Sequence, residues 1–217
     1  MTTILIAGAT GLVGEAALAL ALRDERISRI VAPTRRPLPA QAKLLNPIVT
    51  IDALPQDADW WQVDGAICAL GTTRAKTPSK ADYRAIDFGY PLTIASLVRE
   101  RGARAFALTS SAGANAKSPF FYTRTKGELE EAVRLLAFPS LTIVRPGFLD
   151  GHRAEARPME RIVGSVLRAA APILPAGARV SPAPTVAAML VEAAVSGRPG
   201  QHLITPAAIA RPAARAD

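Results

Sequence analysis

The chain is poor in the residues that staple or metallate small proteins. A single cysteine, Cys68, excludes a disulfide framework and a multi-cysteine metal cluster. Two histidines, His152 and His202, leave little for a zinc site. No run of five like charges occurs, and no stretch of 18 apolar residues long enough for a membrane helix. Residues 1–22 are mostly apolar or small, but Met1-Thr2-Thr3 carries no basic side chain. Gly8, Gly11, Gly14 and Glu15 also interrupt the apolar core that a secretory signal needs. The expectation is a soluble cytoplasmic protein with no membrane partner.

What is present describes a globular chain. Its 217 residues are 49% hydrophobic with a mean hydropathy of +0.19, which excludes disorder. A chain of this size buries roughly 70% of its unfolded surface, enough for a core without cross-links. The formal net charge is +8. The basic residues are mostly arginines scattered from Arg23 to Arg215. A diffuse excess is not the clustered footprint of a nucleic-acid binder, so no nucleic-acid partner is expected.

Apolar runs of strand type alternate with helical runs. Strands are predicted at 3–7, 29–32, 47–51, 65–70, 105–109 and 141–144, with a short last one at 202–204. Helices are predicted at 15–23, 81–101, 123–136, 160–170 and 185–196. Strands apolar on both faces and separated by helices describe an α/β fold, a doubly wound parallel sheet of the Rossmann type. One dinucleotide-binding domain is expected over 1–205, with 148–184 covering the substrate and a frayed tail at 206–217. Association as a monomer or homodimer is left open.

Gly8-Ala9-Thr10-Gly11-Leu12-Val13-Gly14 follows the first strand and opens the first helix. A turn this sharp, passing close to a pyrophosphate, has no room for Cβ atoms. The helix N-terminus then offers free N–H groups to the anion. The next strand is followed by Thr34-Arg35-Arg36 rather than by an acidic residue for a ribose 2′-hydroxyl. Two guanidinium groups can clamp a 2′-phosphate, which favours NADP as cofactor. Leu70 and Gly71 end the fourth strand and can line the adenosine path. Asp52 can reach an adenine amino group, or serve as a helix cap.

Tyr122 and Lys126 stand four apart on a predicted helix and so share a face. Ser110 and Ser111 end the fifth strand. An ammonium beside a phenol favours the phenolate, and a serine hydroxyl can orient a carbonyl. The three side chains suit proton transfer coupled to hydride transfer on a small-molecule substrate, with Ser111, Tyr122 and Lys126 catalytic. Tyr122 and Lys126 would also touch the cofactor. Leu149, after the Arg145-Pro146-Gly147 turn, can pack on the nicotinamide, and Arg157 can add a phosphate contact.

Together these stretches resemble the atypical short-chain dehydrogenase/reductases, in particular the small Tat-interacting oxidoreductase family. The matching segments are Gly8 to Gly14, Thr34-Arg35-Arg36, Cys68 to Arg74, Thr109 to Ala114, Tyr122 to Glu128 and Arg145-Pro146-Gly147. Arg157-Pro158 and the stretch from Pro182 to Met189 also match. The resemblance implies an NADP-binding Rossmann protein in which Arg35 and Arg36 hold the 2′-phosphate. It aligns Ser111, Tyr122 and Lys126 with the catalytic serine, tyrosine and lysine. It also implies regulatory binding as an alternative to turnover, that is, an NADP-sensing protein. Asp150 departs from the pattern, since relatives carry an apolar residue there.

Overall fold

The computed structural model describes residues 1–50, 52–72, 77–150 and 180–210. Strand β1 (Thr2–Ala7) is followed directly by the glycine turn and helix α1 (Leu12–Arg23). Its side chains alternate between two buried faces. Ile4 and Ile6 join the layer of α1, while Leu5 and Ala7 join the opposite layer with Trp61, Ile94 and Leu129. A strand apolar on both faces is stable only under two helical layers, and both are present.

Strand β2 (Ile27–Val31) pairs in parallel with β1. The third strand departs from expectation. It is β3 (Leu44–Leu45), with only a single bridge between Thr34 and Ile48 further on, rather than a run over 47–51. Pro47 has no N–H to continue a ladder and offers only its carbonyl, which accepts from Thr34 N at 3.0 Å. Asn46 takes over with its side chain. Its Nδ2 donates to Ala32 O at 2.6 Å, and its Oδ1 accepts from Leu38 N at 2.8 Å.

Strand β4 (Gly65–Cys68) leads to a long helical stretch. The sequence predicts one helix over 81–101. The structure has α2 (Lys80–Arg84), a π turn (Ala85–Gly89) and α3 (Tyr90–Glu100) in unbroken succession. The cause is Pro91, which has no N–H for the Asp87 carbonyl four residues back. A widened turn ahead of the proline accommodates the gap.

Strand β5 (Ala105–Thr109), helix α4 (Phe121–Leu135) and strand β6 (Ser140–Val144) follow. Helix α4 starts two residues earlier than predicted, so Tyr122 lies in its first turn. Strand β7 (Phe148–Asp150) pairs in parallel with β8 (Val180–Pro182) as a small separate sheet. Helix α5 (Ala183–Ser196) packs on α1, and β9 (Gly200–Ile204) closes the main sheet.

The last element is α6 (Pro206–Ile209), capped by Thr205, whose Oγ1 accepts from Ala208 N at 3.4 Å. The frayed tail therefore does not begin at 206, because Ile209 is buried in the layer of α1 and α5. The predicted helix over 160–170 lies outside the described residues.

The main sheet is parallel throughout, in the order β3-β2-β1-β4-β5-β6-β9. The chain builds outward from β1 to β3, then returns to place β4 on the other side of β1. That reversal opens a crevice at the carboxyl ends of β1 and β4, where ligands bind in sheets of this kind.

Candidate active site

The glycine turn sits at this crevice. Gly8 has φ +85°, and a Cβ there would lie 2.9 Å from the carbonyl of Ala69. At Gly14 a Cβ would fall 2.0 Å from Gly8 O, so α1 can approach the strand only without one. Gly11 N donates to Gly8 O at 2.9 Å, and Glu15 N makes the first helical bond to Gly11 O at 2.8 Å. The N–H groups of Leu12, Val13 and Gly14 therefore precede the helical ladder and suit an anion. Ala9 and Val13 bury their side chains in the core, so only their backbone can face a ligand. Thr10 is exposed.

Arg35 and Arg36 are both exposed beyond β2. Neither guanidinium forms an ion pair among the described residues. Asp52 is also exposed, in a turn with no helix for it to cap. Leu70 packs against the core layer of α3 and α4, and Gly71 is exposed beside it. Leu149 is half-buried against the layer of α1 and α5. Arg157 lies outside the described residues.

The adjacent serines have different partners. Ser110 Oγ donates to Glu130 Oε1 at 2.5 Å in a fully buried contact. Glu130 also takes a two-pronged bond from Arg145, at 2.8 Å from Nε and 2.6 Å from Nη2. That bond holds the guanidinium of Arg145 above its ordinary pKa. Arg134 adds a third contact at 3.2 Å. A cavity of about 360 Å³ opens beside this cluster, and among its charged lining residues Glu130, Arg134 and Arg145 are paired with one another. Ser111 is also buried, yet its Oγ has no hydrogen-bond partner among the described residues. Of the two, Ser111 is the one whose hydroxyl the described residues leave without a partner.

Tyr122 and Lys126 do share one face of α4. Tyr122 is 45% exposed, whereas Lys126 is buried. The Lys126 ammonium lies 2.6 Å from Asp87 Oδ1. Asp87 sits in the π turn, only 1% exposed, and its Oδ2 accepts from Thr72 N at 2.9 Å. The sequence reading missed Asp87. Pro91 was the available signal, because a proline inside a helical pattern marks a local break where a polar side chain can be redirected. Tyr83, one turn before Asp87, was missed as well. Its ring meets that of Tyr122 edge-on at 6.2 Å and that of Phe121 at 5.5 Å.

Cys68 ends β4 behind this pair. Burial pushes its thiol up to about 11. It is a core residue, not a nucleophile.

A parallel sheet with this reversal and a glycine turn at its crevice defines an α/β fold of the Rossmann type. Solved structures agree on the fold. MoeE5 in complex with UDP-glucose and NAD superposes with a TM-score of 0.70 at 17% identity, over 93% of this chain and 74% of that one. No protein-family model matches the chain.

The chain belongs to the FMP52 family. It is 39% identical to the mitochondrial protein FMP52 of Lodderomyces elongisporus, over 71% of this chain and 70% of that protein. It is 37% identical to FMP52 of Candida albicans, over 72% and 70%. These relatives carry the FMP52 name, not that of the Tat-interacting oxidoreductase. Their names also place them in mitochondria, which overturns the expectation of a cytoplasmic protein. Among the described residues no helix is long and apolar enough to cross a membrane.

Proposed function

We propose that this chain is an NADP-dependent oxidoreductase acting on a small carbonyl or alcohol. The observation that carries the reading is Ser111, whose buried hydroxyl has no partner among the described residues and which lies two residues past the carboxyl end of β5, the sheet edge where the glycine turn also sits. An orphaned buried hydroxyl is costly unless a ligand completes it.

The residues fit the cofactor. The turn from Gly8 to Gly14, with Ala9, Thr10, Gly11, Leu12 and Val13 between, would hold the pyrophosphate. Arg35 and Arg36 would hold the 2′-phosphate, with Asp52, Leu70 and Gly71 along the adenosine. Leu149 and Arg157 would complete the nicotinamide side and a phosphate contact. When bound, the cofactor supplies or accepts the hydride. Ser111 donates to the substrate oxygen, and the Tyr122 phenol moves a proton at that same oxygen. Lys126 bonds the ribose and is held in place by Asp87.

The similar solved structure holds NAD, so the preference for NADP rests on the two arginines alone. One observation favours a second reading, an NADP-sensing protein with little turnover. Lys126 is committed to Asp87, which leaves less of its charge for the phenol.

Titration of NADPH against NADH, followed by turnover of a carbonyl panel, separates the two readings. Tighter NADPH, with turnover that collapses in Tyr122→Phe while affinity survives, supports the enzyme. Tight NADPH without turnover supports the sensor. Equal or tighter NADH defeats both.

A further inference from the structure

Arg35 and Arg36 are exposed on a loop, with Pro33 before Thr34 and Pro37 after the pair. A proline brings no N–H, so neither of these positions can tie the loop down through its amide. Long exposed side chains have no direction of their own. Any fixed aim must come from the backbone beneath them.

That backbone is held from the neighbouring strand. Asn46, directly after β3, reaches the loop with its carboxamide. Its Nδ2 donates to Ala32 O at 2.6 Å and to Thr34 Oγ1 at 2.8 Å, and its Oδ1 accepts from Leu38 N at 2.8 Å. The three bonds fall on both sides of the arginines. Thr34 passes the hold on. It is only 7% exposed, and its Oγ1 donates to the carbonyl of Arg36 itself at 2.7 Å. The Thr34 backbone is pinned as well, its N donating to Pro47 O at 3.0 Å and its O accepting from Val49 N at 2.9 Å. At the far side of the pair, Leu38 packs on the layer of α1.

The chemistry of this brace is specific. One short side chain must give two hydrogen bonds and take one, which a carboxamide does and a carboxylate or an alkyl group does not. The Thr34 hydroxyl takes from Asn46 and gives to Arg36, so the two side chains form one run of bonds that ends on the arginine backbone. Ordering mobile groups costs affinity, and that cost falls where their backbone is already fixed. We propose that Asn46 and Thr34 are positioning residues for a 2′-phosphate clamp, and that their bonds set a preference for NADP over NAD. This rests on the cofactor reading above and adds two residues that act only through Arg35 and Arg36.

Thr34→Val keeps the shape of the side chain and removes its hydroxyl, Thr34→Ser keeps the hydroxyl, and Asn46→Ala removes the carboxamide. Each is titrated with NADPH and with NADH beside wild type and Arg35→Ala, and melting temperatures are recorded. Thr34→Val and Asn46→Ala are expected to weaken NADPH about three- to tenfold, the size of one neutral hydrogen bond, and to leave NADH unchanged. Thr34→Ser should match wild type with both nucleotides. A merely structural role would lower the melting temperature and weaken both nucleotides together. That result overturns the proposal, as does unchanged NADPH binding in Thr34→Val. If Asn46→Ala fails to fold, Thr34→Val against Thr34→Ser decides alone. An Arg35→Ala variant that loses the preference while Thr34→Val keeps it removes the brace and leaves the clamp standing. A wild type that binds NADH as tightly as NADPH removes the cofactor reading itself and the brace with it.

Discussion

Asp87 Oδ1 lies 2.6 Å from Lys126 Nζ, with both side chains almost wholly out of solvent. A buried pair of this kind adds little net stability, but removing one partner strands the other charge. Asp87→Ala is expected to cost about 3–5 kcal/mol in urea denaturation. Asp87→Leu combined with Lys126→Met should recover much of that loss, since the stranded charge goes too. A double variant as unstable as the single one would show that the pair itself, not the orphaned ammonium, holds the fold.

Glu130 forms a second buried centre behind the serines. Ser110→Ala removes a donor to a buried carboxylate and should lower stability by about 1.5–3 kcal/mol, the usual scale for a hydrogen bond to a charged group. Ser111→Ala removes a hydroxyl with no partner and should leave the melting temperature unchanged or raise it. Thermal melts of the two variants side by side check the contrast. If both destabilise equally, the division of labour between neighbouring serines fails.

Gly14→Ala places a methyl group 2.0 Å from Gly8 O, which no side-chain rotation relieves. Helix α1 must lift from β1, at about 3 kcal/mol, the upper part of the range for overpacking. NADPH binding should be lost with it. Denaturant titration and fluorescence binding on the same sample read both effects.

Arg35→Ala is expected to weaken NADPH by about 1.5–3 kcal/mol while leaving NADH alone. Both arginines are exposed, so the substitution should not alter the melting temperature. Parallel loss of both nucleotides would point to a general charge effect rather than a 2′-phosphate clamp.

The buried thiol gives a pH signature. Its folded value of about 11 lies above the usual cysteine value near about 8.5. The folded state therefore holds the proton more tightly. The associated stability is fully present below about pH 8.5 and drains away as pH rises towards about 11. Cys68→Ala should flatten that part of the stability profile. The native thiol should also resist iodoacetamide at pH 8 until denaturant is added.

Much of the architecture was legible because burial on both faces leaves a mark in the residues. Ala105 to Thr109 and Leu141 to Val144 are apolar but for Thr109 and Thr142, without strict alternation, and both strands are buried at every position. The third strand was misplaced because Pro47-Ile48-Val49 has strand composition, while the proline's missing N–H decides the pairing. Within the candidate site, the turn from Gly8 to Gly14 and the pair Tyr122 and Lys126 were readable from their spacing together with their positions after the first and fifth strands. Asp87 was not, since a lone acid in a helical stretch reads as solvated, and only the π turn ahead of Pro91 turns it inward. Glu130 was hidden for a similar reason. It continues the stripe of Tyr122 and Lys126 by one more turn, but its burial depends on Arg145 arriving from another strand.

The pairing of Phe148–Asp150 with Val180–Pro182 fastens both flanks of residues 151–179 to neighbouring positions. A stretch hemmed in this way can grow or shrink at small entropic expense, roughly 0.6 kcal/mol for each doubling of length. The chain between these two strands can thus change in length while the main sheet keeps its register.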